Sequence, residues 1–249
     1  MQIKTSGIVI RQKASGDDRL VTLLTKDNGV LQASARGAKK PRGHLTSATE
    51  LFCYSNLTLF FYKDYYTIDS IEVEQSFFEL RNDLTALSLA SYFAELCCEL
   101  IPQEEEAGEL LRLLLNCLHF LIGQKRPATL IKSIFEWRVL SLAGFMPDLT
   151  GCADCKTYED EEMLFCIETG ELMCKNCCHS ERPVFALSQG VLSAMRHIVY
   201  SDFSQLFSFS LPDPAARYMA ELGERYLKHH LQLPLKTLEF YHSIVLSNT

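Results

Sequence analysis

Between positions 152 and 178 the chain reads CADCKTYEDEEMLFCIETGELMCKNCC, and this stretch limits the fold more than any other. Cys152 and Cys155 make one CxxC turn, Cys174 and Cys177 a second, with eighteen residues between the pairs. That spacing suits two knuckles closing on a single ion. A tetrahedral ion needs four soft or borderline donors, and each CxxC turn presents two thiolates from one side. With all four positions filled no place remains for a catalytic water, so the expected cofactor is structural zinc. An iron–sulfur cluster or a redox dithiol pair uses the same residue types. Cys178 is an alternative to Cys177, although the spacing favours Cys177. The intervening LFCIETGELMC predicts a short hairpin turning at Thr169-Gly170, with Cys166 buried in a strand. Lys156 and Lys175 follow ligands directly and soften the thiolate charge.

Ten cysteines would suit a disulfide scaffold only in a short secreted chain, and this one has 249 residues. Cys53, Cys97, Cys98 and Cys117 lie in apolar stretches and read as small buried hydrophobes. There is no window of about 18 apolar residues, so no membrane span is expected. The opening MQIKTSGIVIRQK is charged too early for a signal peptide and reads as a strand. The cytoplasm is the expected location.

The first eighty residues look like strands. GIVIRQ is one; RLVTLLTKDNGVLQASAR predicts a hairpin at Asp27-Asn28-Gly29. LFCYSNLTLFFYKDYYTIDSIEVEQ predicts two more strands turning at Lys63-Asp64. Five short strands with no long helix predict a small closed barrel, with an open sandwich as the competing arrangement. Between the third and fourth strands lies ARGAKKPRGHL, where Arg36, Lys39, Lys40 and Arg42 fall within seven positions. Gly37, Pro41 and Gly43 argue against regular structure there. Residues 1–45 hold nine Lys or Arg against three acids, a balance of +6 in a chain of −7, which leaves −13 for the remainder. Such asymmetry predicts an N-terminal face that meets a polyanion; a solvated basic loop is the bland alternative.

After Ser76 the apolar period changes to that of helices. Leu89, Phe93, Leu96 and Leu100 share one face. ELLRLLLNCLHFLI is apolar nearly all round, as a helix buried on most sides must be. Residues 128–143 predict a third helix with Ile131, Ile134, Phe135 and Leu142 on one broad face, stopped by Gly144 and Pro147. The acidic PQEEEAGE between the first two is a solvated connector. Residues 188–249 are again helical, with Ser188 as an N-cap and Pro214 opening a later helix.

No catalytic constellation stands out. There is no GxxxxGK(S/T) loop, no GxGxxG, no HExxH and no GxSxG, so neither nucleotide use nor enzymatic turnover is expected. Asp17-Asp18 reads as a turn with Gly16, and His229-His230 lacks a third ligand nearby.

Several segments, in order, resemble the RecO family of bacterial DNA repair and recombination mediator proteins. GIVIRQKASGDDRLVTLLTKDNGVLQASARGAKKPRG is similar to its opening barrel, SYFAELCCEL to its first helix and FEWRVLSLAGFMPDLTGCADC to the passage into its zinc unit. HLQLPLKTLEFY is similar to its C-terminal Pro-Leu-Lys pattern. The resemblance implies an α+β chain: an OB-fold β-barrel over 1–78, then an α-helical domain over 79–249 with a zinc-binding insertion at 150–180. It implies binding of single- and double-stranded DNA, annealing of complementary strands and a nucleoid-associated location. It also implies partnership with RecR and with the C-terminal tail of single-stranded-DNA-binding protein, which together help load RecA onto coated strands. The ligand set is Cys152, Cys155, Cys174 and Cys177. The family often has glycine where Lys156 stands, which puts the local turn in question rather than the metal.

On that reading Arg36, Lys39, Lys40 and Arg42 contact phosphates, with Arg11, Lys13 and Arg19 as further candidates from the first two strands. Phe60, Phe61, Tyr62, Tyr65 and Tyr66 are the aromatics available for stacking. For most of them, alternation in a barrel strand favours the core. Arg112, Lys125, Arg126 and Lys132 are the cations available to an acidic, apolar protein tail. A zinc-stabilised module for protein or RNA is the competing reading.

Overall fold

The computed structural model describes residues 1–38, 44–100, 105–179 and 182–247. Strands β1 (Gln2–Ser15), β2 (Asp18–Thr25), β3 (Gly29–Ala35), β4 (Cys53–Tyr62) and β5 (Tyr65–Ser76) form a closed barrel in the order β1-β2-β3-β5-β4. A short helix, α1 (His44–Ala48), precedes β4. The barrel, not the open sandwich, is therefore the arrangement. Its turns follow from local chemistry. Gly29 takes φ +60° where β2 meets β3, and Lys63 and Asp64 both adopt left-handed φ between β4 and β5. Two such residues in succession match the twist of a two-residue hairpin.

The barrel core gathers Val9, Val21, Leu23, Leu31, Leu57, Leu59, Ile68 and Ile71. Ile8, Ile10 and Leu24 are equally buried yet stand outside that core. The outer side of β1 and β2 is covered instead by α2 (Leu84–Leu100) and α3 (Gly108–Leu121). Burial on both faces explains why GIVI is apolar without alternation. Asp83 caps α2, its Oδ1 accepting from the Thr85 and Ala86 amides at 2.8 and 3.1 Å.

Helix α4 (Ala128–Leu142) starts the second half. Four short strands follow: β6 (Asp148–Cys152), β7 (Met163–Cys166), β8 (Glu171–Cys174) and β9 (Val184–Leu187), paired in the order β6-β8-β7-β9. The β7–β8 turn falls at the expected Thr169-Gly170, with Gly170 at φ +71°. Helix α5 (Gln189–Tyr200) is capped by Ser188 as its sequence predicts, and α6 (Asp213–Leu231) carries Pro214 in its first turn. Helix α7 (Lys236–Ser247) closes the described chain.

Two compact units result, Met1–Lys125 with Leu235–Thr249, and Arg126–Pro234. The change from strand to helix near residue 78 lies inside the first unit. There α7 packs on α2, and the Glu95 carboxylate accepts from both the amide and the hydroxyl of Thr237 at the start of α7. In the second unit α4 packs on α6, and Trp137, the only tryptophan, stacks on Tyr226 with ring centroids 5.3 Å apart.

Helix α4 departs from the single apolar face its sequence predicts. Ile131, Ile134 and Phe135 are buried as expected, Leu142 is half-buried, and Lys132, Ser133 and Glu136 are buried too. The Lys132 ammonium lies 2.8 Å from Glu136 and 3.1 Å from Glu224 of α6, so its charge is compensated inside the unit. No helix among the described residues is long and apolar enough to cross a membrane.

Candidate metal centre and nucleic-acid interface

Strand β6 ends in Cys152 and β8 ends in Cys174, so each knuckle begins where a strand stops. Parallel pairing sets Cys152 opposite Leu172, two residues before Cys174, and this register joins the two turns. The sulfurs of Cys152, Cys155, Cys174 and Cys177 all lie within 4.8 Å of one another, with Cys155 and Cys174 3.7 Å apart. Metal–sulfur bonds of about 2.3 Å in a tetrahedron need sulfurs about 3.8 Å apart. The cluster fits one such ion. Cys178 and Cys166 lie outside it, so Cys177 is the member from the second turn.

The knuckle backbones are closed by hydrogen bonds from backbone amides. Lys156 N donates to Cys152 O at 3.0 Å, and Cys177 N and Cys178 N donate to Cys174 O at 3.1 Å. Lys156 stands at φ +63°, a left-handed conformation that favours glycine. Gly151 is needed for a different reason. A Cβ on it would sit 3.0 Å from Lys156 O and 3.1 Å from Thr157 O.

Electrostatics divide the thiols. The Thr157 hydroxyl and amide hold Cys155 down to about 6, whereas the thiols of Cys174 and Cys155 push Cys177 up to about 12. Four thiolates this close repel one another, and a divalent cation is what allows all four to be charged. Sequence spacing picks out the four cysteines that come together, whereas no motif marks Thr157 or Gly151.

At the seam of the barrel β3 meets β5 through only two residue pairs, Ala33–Tyr66 and Ser34–Thr67. An open groove of about 1280 Å³ lies over this seam, lined in part by Arg36, Phe60, Tyr62, Lys63, Tyr65 and Tyr66. Phe60, Tyr62 and Tyr65 are 48%, 61% and 75% exposed, so the core position favoured by alternation is wrong for these three. Tyr62 and Tyr65 are partners in register at the hairpin tip, and Phe60 is on the same side of β4 two residues earlier. Phe61 and Tyr66 face the other way, their rings 4.7 Å apart, with Tyr66 against the barrel core. The Lys63 ammonium sits 5.3 Å from the centre of the Tyr62 ring.

The cations expected at this face separate into groups. Arg36 is exposed beside the groove. Lys13 is exposed on β1, and Arg11 is exposed with Glu99 at 3.6 Å. Lys39, Lys40 and Arg42 lie outside the described residues. Arg19 turns inward: its guanidinium donates to Thr46 O, Thr49 Oγ1 and Glu50 Oε1 at 2.9–3.0 Å. Burial would raise the Glu50 carboxyl, but Arg81 and Arg19 more than offset it and hold it below the usual range. Arg19 therefore anchors the chain that leaves the basic loop.

The family description "Recombination protein O N terminal" matches residues 1–77, and "Recombination protein O C terminal" matches 81–239. The chain belongs to the RecO family. A DNA repair protein RecO from Acetivibrio thermocellus is 34% identical over 239 residues, covering 96% of this chain and 95% of that protein. One from Symbiobacterium thermophilum is 30% identical over 94% of both chains. One from Desulforamulus reducens is 27% identical over 98% of this chain and 96% of its own length. The matched length spans the barrel, the helical region and the segment that holds the four cysteines.

Proposed function

We propose that this RecO-family protein acts in DNA repair and recombination as a mediator. It binds single- and double-stranded DNA at the barrel, anneals complementary strands and, with RecR, helps load RecA onto strands coated by single-stranded-DNA-binding protein. The observation that carries this reading is the seam groove, where exposed aromatic faces stand beside Arg36 and Lys63. Single strands are held by cations that track phosphates and by rings on which successive bases stack. Phe60, Tyr62 and Tyr65 take the bases in this scheme. Arg36, Lys39, Lys40, Arg42, Arg11 and Lys13 take phosphates, while Arg19 is engaged by Thr46, Thr49 and Glu50. Phosphate contacts carry little sequence information, which suits a protein that must pair any complementary strands.

Zinc is the ion proposed for the four cysteines, and it serves as a structural cross-link. Annealing needs no covalent step, so no residue is assigned a catalytic role. The cations considered for the acidic tail of single-stranded-DNA-binding protein are Arg112, Lys125, Arg126 and Lys132; Lys132 is enclosed by Glu136 and Glu224, and Arg126 donates to Phe209 O at 2.7 Å. A DNA partner places the protein at the nucleoid, in the cytoplasm.

The test is annealing of two complementary labelled oligonucleotides without nucleotide, at low and moderate salt. Wild-type protein is expected to accelerate it. Replacing Arg36, Lys39, Lys40 and Arg42 by Ala is expected to remove most of the acceleration. The slope of log affinity against log salt should also fall by about 0.7 for each phosphate of the single strand that the variant no longer neutralises. No acceleration by wild-type protein would favour a zinc-stabilised module for protein or RNA instead.

A further inference from the structure

We propose that Arg196 is a positioning residue for the metal centre, setting the first knuckle so that Cys152 and Cys155 meet the second. The inference rests on the metal reading of the four cysteines. Arg196 lies on α5 and is only 8% exposed, an unusual place for a guanidinium. Its Nε donates to Leu149 O at 2.8 Å and its Nη2 to Tyr158 O at 2.7 Å. Those two carbonyls flank the segment 150–157, which contains both thiols. The same side chain therefore holds the strand entering the knuckle and the irregular chain leaving it. Strand β6 alone is a weak support, because its pairing with β8 is interrupted by a bulge between Asp148 and Cys152.

Two further contacts fix the guanidinium plane. The Tyr158 ring covers it, with Cζ 3.8 Å from the ring centre, and Glu159 lies 3.9 Å from Nη1. The inner end of the lever is also fixed. Arg138 of α4 donates through Nη1 to Ile198 O at 3.1 Å and Val199 O at 2.7 Å, which ties the last turn of α5 to α4. From Tyr158 the path to sulfur is short. Adjacent Thr157 accepts the Cys152 amide at 2.9 Å and places its hydroxyl 3.2 Å from Cys155 Sγ. A planar fork that bridges two carbonyls needs arginine; a lysine ammonium, a point charge, reaches one of them well. Residues one shell out from metal ligands typically change metal affinity by about 10- to 100-fold when removed.

The test uses full-length protein loaded with zinc, or with cobalt(II) as a spectroscopic substitute, and the variants Arg196→Met, Arg196→Lys and Tyr158→Ala. Zinc Kd is read by chelator competition and sulfur geometry by the visible cobalt bands. Arg196→Met is expected to raise the zinc Kd about tenfold to a hundredfold and to shift the cobalt bands. Arg196→Lys should recover part of both. Tyr158→Ala removes a half-exposed ring without burying a charge, and should show a smaller change in the same direction even if Arg196→Met fails to fold. Wild-type Kd and cobalt bands in Arg196→Lys and Tyr158→Ala, with only a lower melting temperature, would overturn the inference. Wild-type protein that takes up no cobalt would instead sink the metal reading itself.

Discussion

The barrel and the four-cysteine sheet are both small β assemblies, yet they are held by different means. The barrel closes on its own apolar core, with Val9, Leu23, Leu57 and Leu59 nearly inaccessible. The sheet has strands of four or five residues and buries Leu149, Met163, Phe165 and Leu172 against its neighbours. Its two knuckles bring four sulfurs within 4.8 Å of one another. Their charges differ as well. Residues 1–45 carry +6, whereas residues 148–179 hold eight acids against Lys156 and Lys175. A polyanion is drawn to the first region and repelled by the second. A stretch too short to make a core can be fixed by an ion, and its surface is then free to serve another purpose.

The largest expected effect breaks the sheet and spares the barrel. Cys152→Ser should cost the second unit more than about 3 kcal/mol, a fall of roughly ten degrees in its melting temperature. Fluorescence of Trp137 reports this unit, since its ring lies edge-on to Phe165 of β7 with centroids 5.8 Å apart. Affinity for DNA per folded molecule should change little. Loss of binding at unchanged stability would mean that the two regions are not divided in this way.

Next in size is the aromatic platform. Tyr62→Ala and Tyr65→Ala should each weaken single-strand binding by about 1–3 kcal/mol while barely affecting duplex, as a stacked base requires. Equal losses on both substrates would reduce the rings to groove walls. Lys156→Gly should stabilise the metal unit by up to about 1 kcal/mol, because a left-handed φ costs lysine and not glycine. A destabilised Lys156→Gly would show that the bond from Lys156 Nζ to Ala153 O outweighs that strain.

The smallest effect concerns pH. Burial, then the charge of His229, lowers His230, while a hydrogen bond to the Ile167 backbone works the other way. The folded state therefore disfavours the imidazolium. Above the ordinary histidine range, about 6.5, both states are neutral and stability is unaffected. As pH falls through it, the unfolded chain takes up the proton first and stability drops. His230→Gln should flatten the melting temperature between pH 7.5 and 5.5 relative to wild type. Identical profiles would show that His230 contributes nothing, since thiolate protonation lowers stability in both proteins.

Much of this division is legible in the residues. The two CxxC turns mark the four cysteines that come together because tetrahedral coordination leaves few spacings, and Lys63-Asp64 and Gly29 mark hairpins because strand twist demands left-handed residues there. What escapes is decided by neighbours distant in sequence. Alternation sorts Phe60, Tyr62 and Tyr65 onto one side of their hairpin, but not which side is covered. Lys132 and Glu136, four apart on a helix, look like an exposed pair until Glu224 arrives from α6. Arg19 reads as a free cation until Thr46, Thr49 and Glu50 close around it.

The bond between Glu95 and Thr237 spans 142 residues, and it bears on how the protein is made. A ribosome emits the barrel and α2 early, then the whole of residues 126–234, and only afterwards the helix that covers α2. For that interval the apolar flank of α2 has no native cover from α7. Domains tend to fold as units while synthesis proceeds. Here the first unit to emerge is the later one to be completed, and the inserted unit can finish folding while the first still waits.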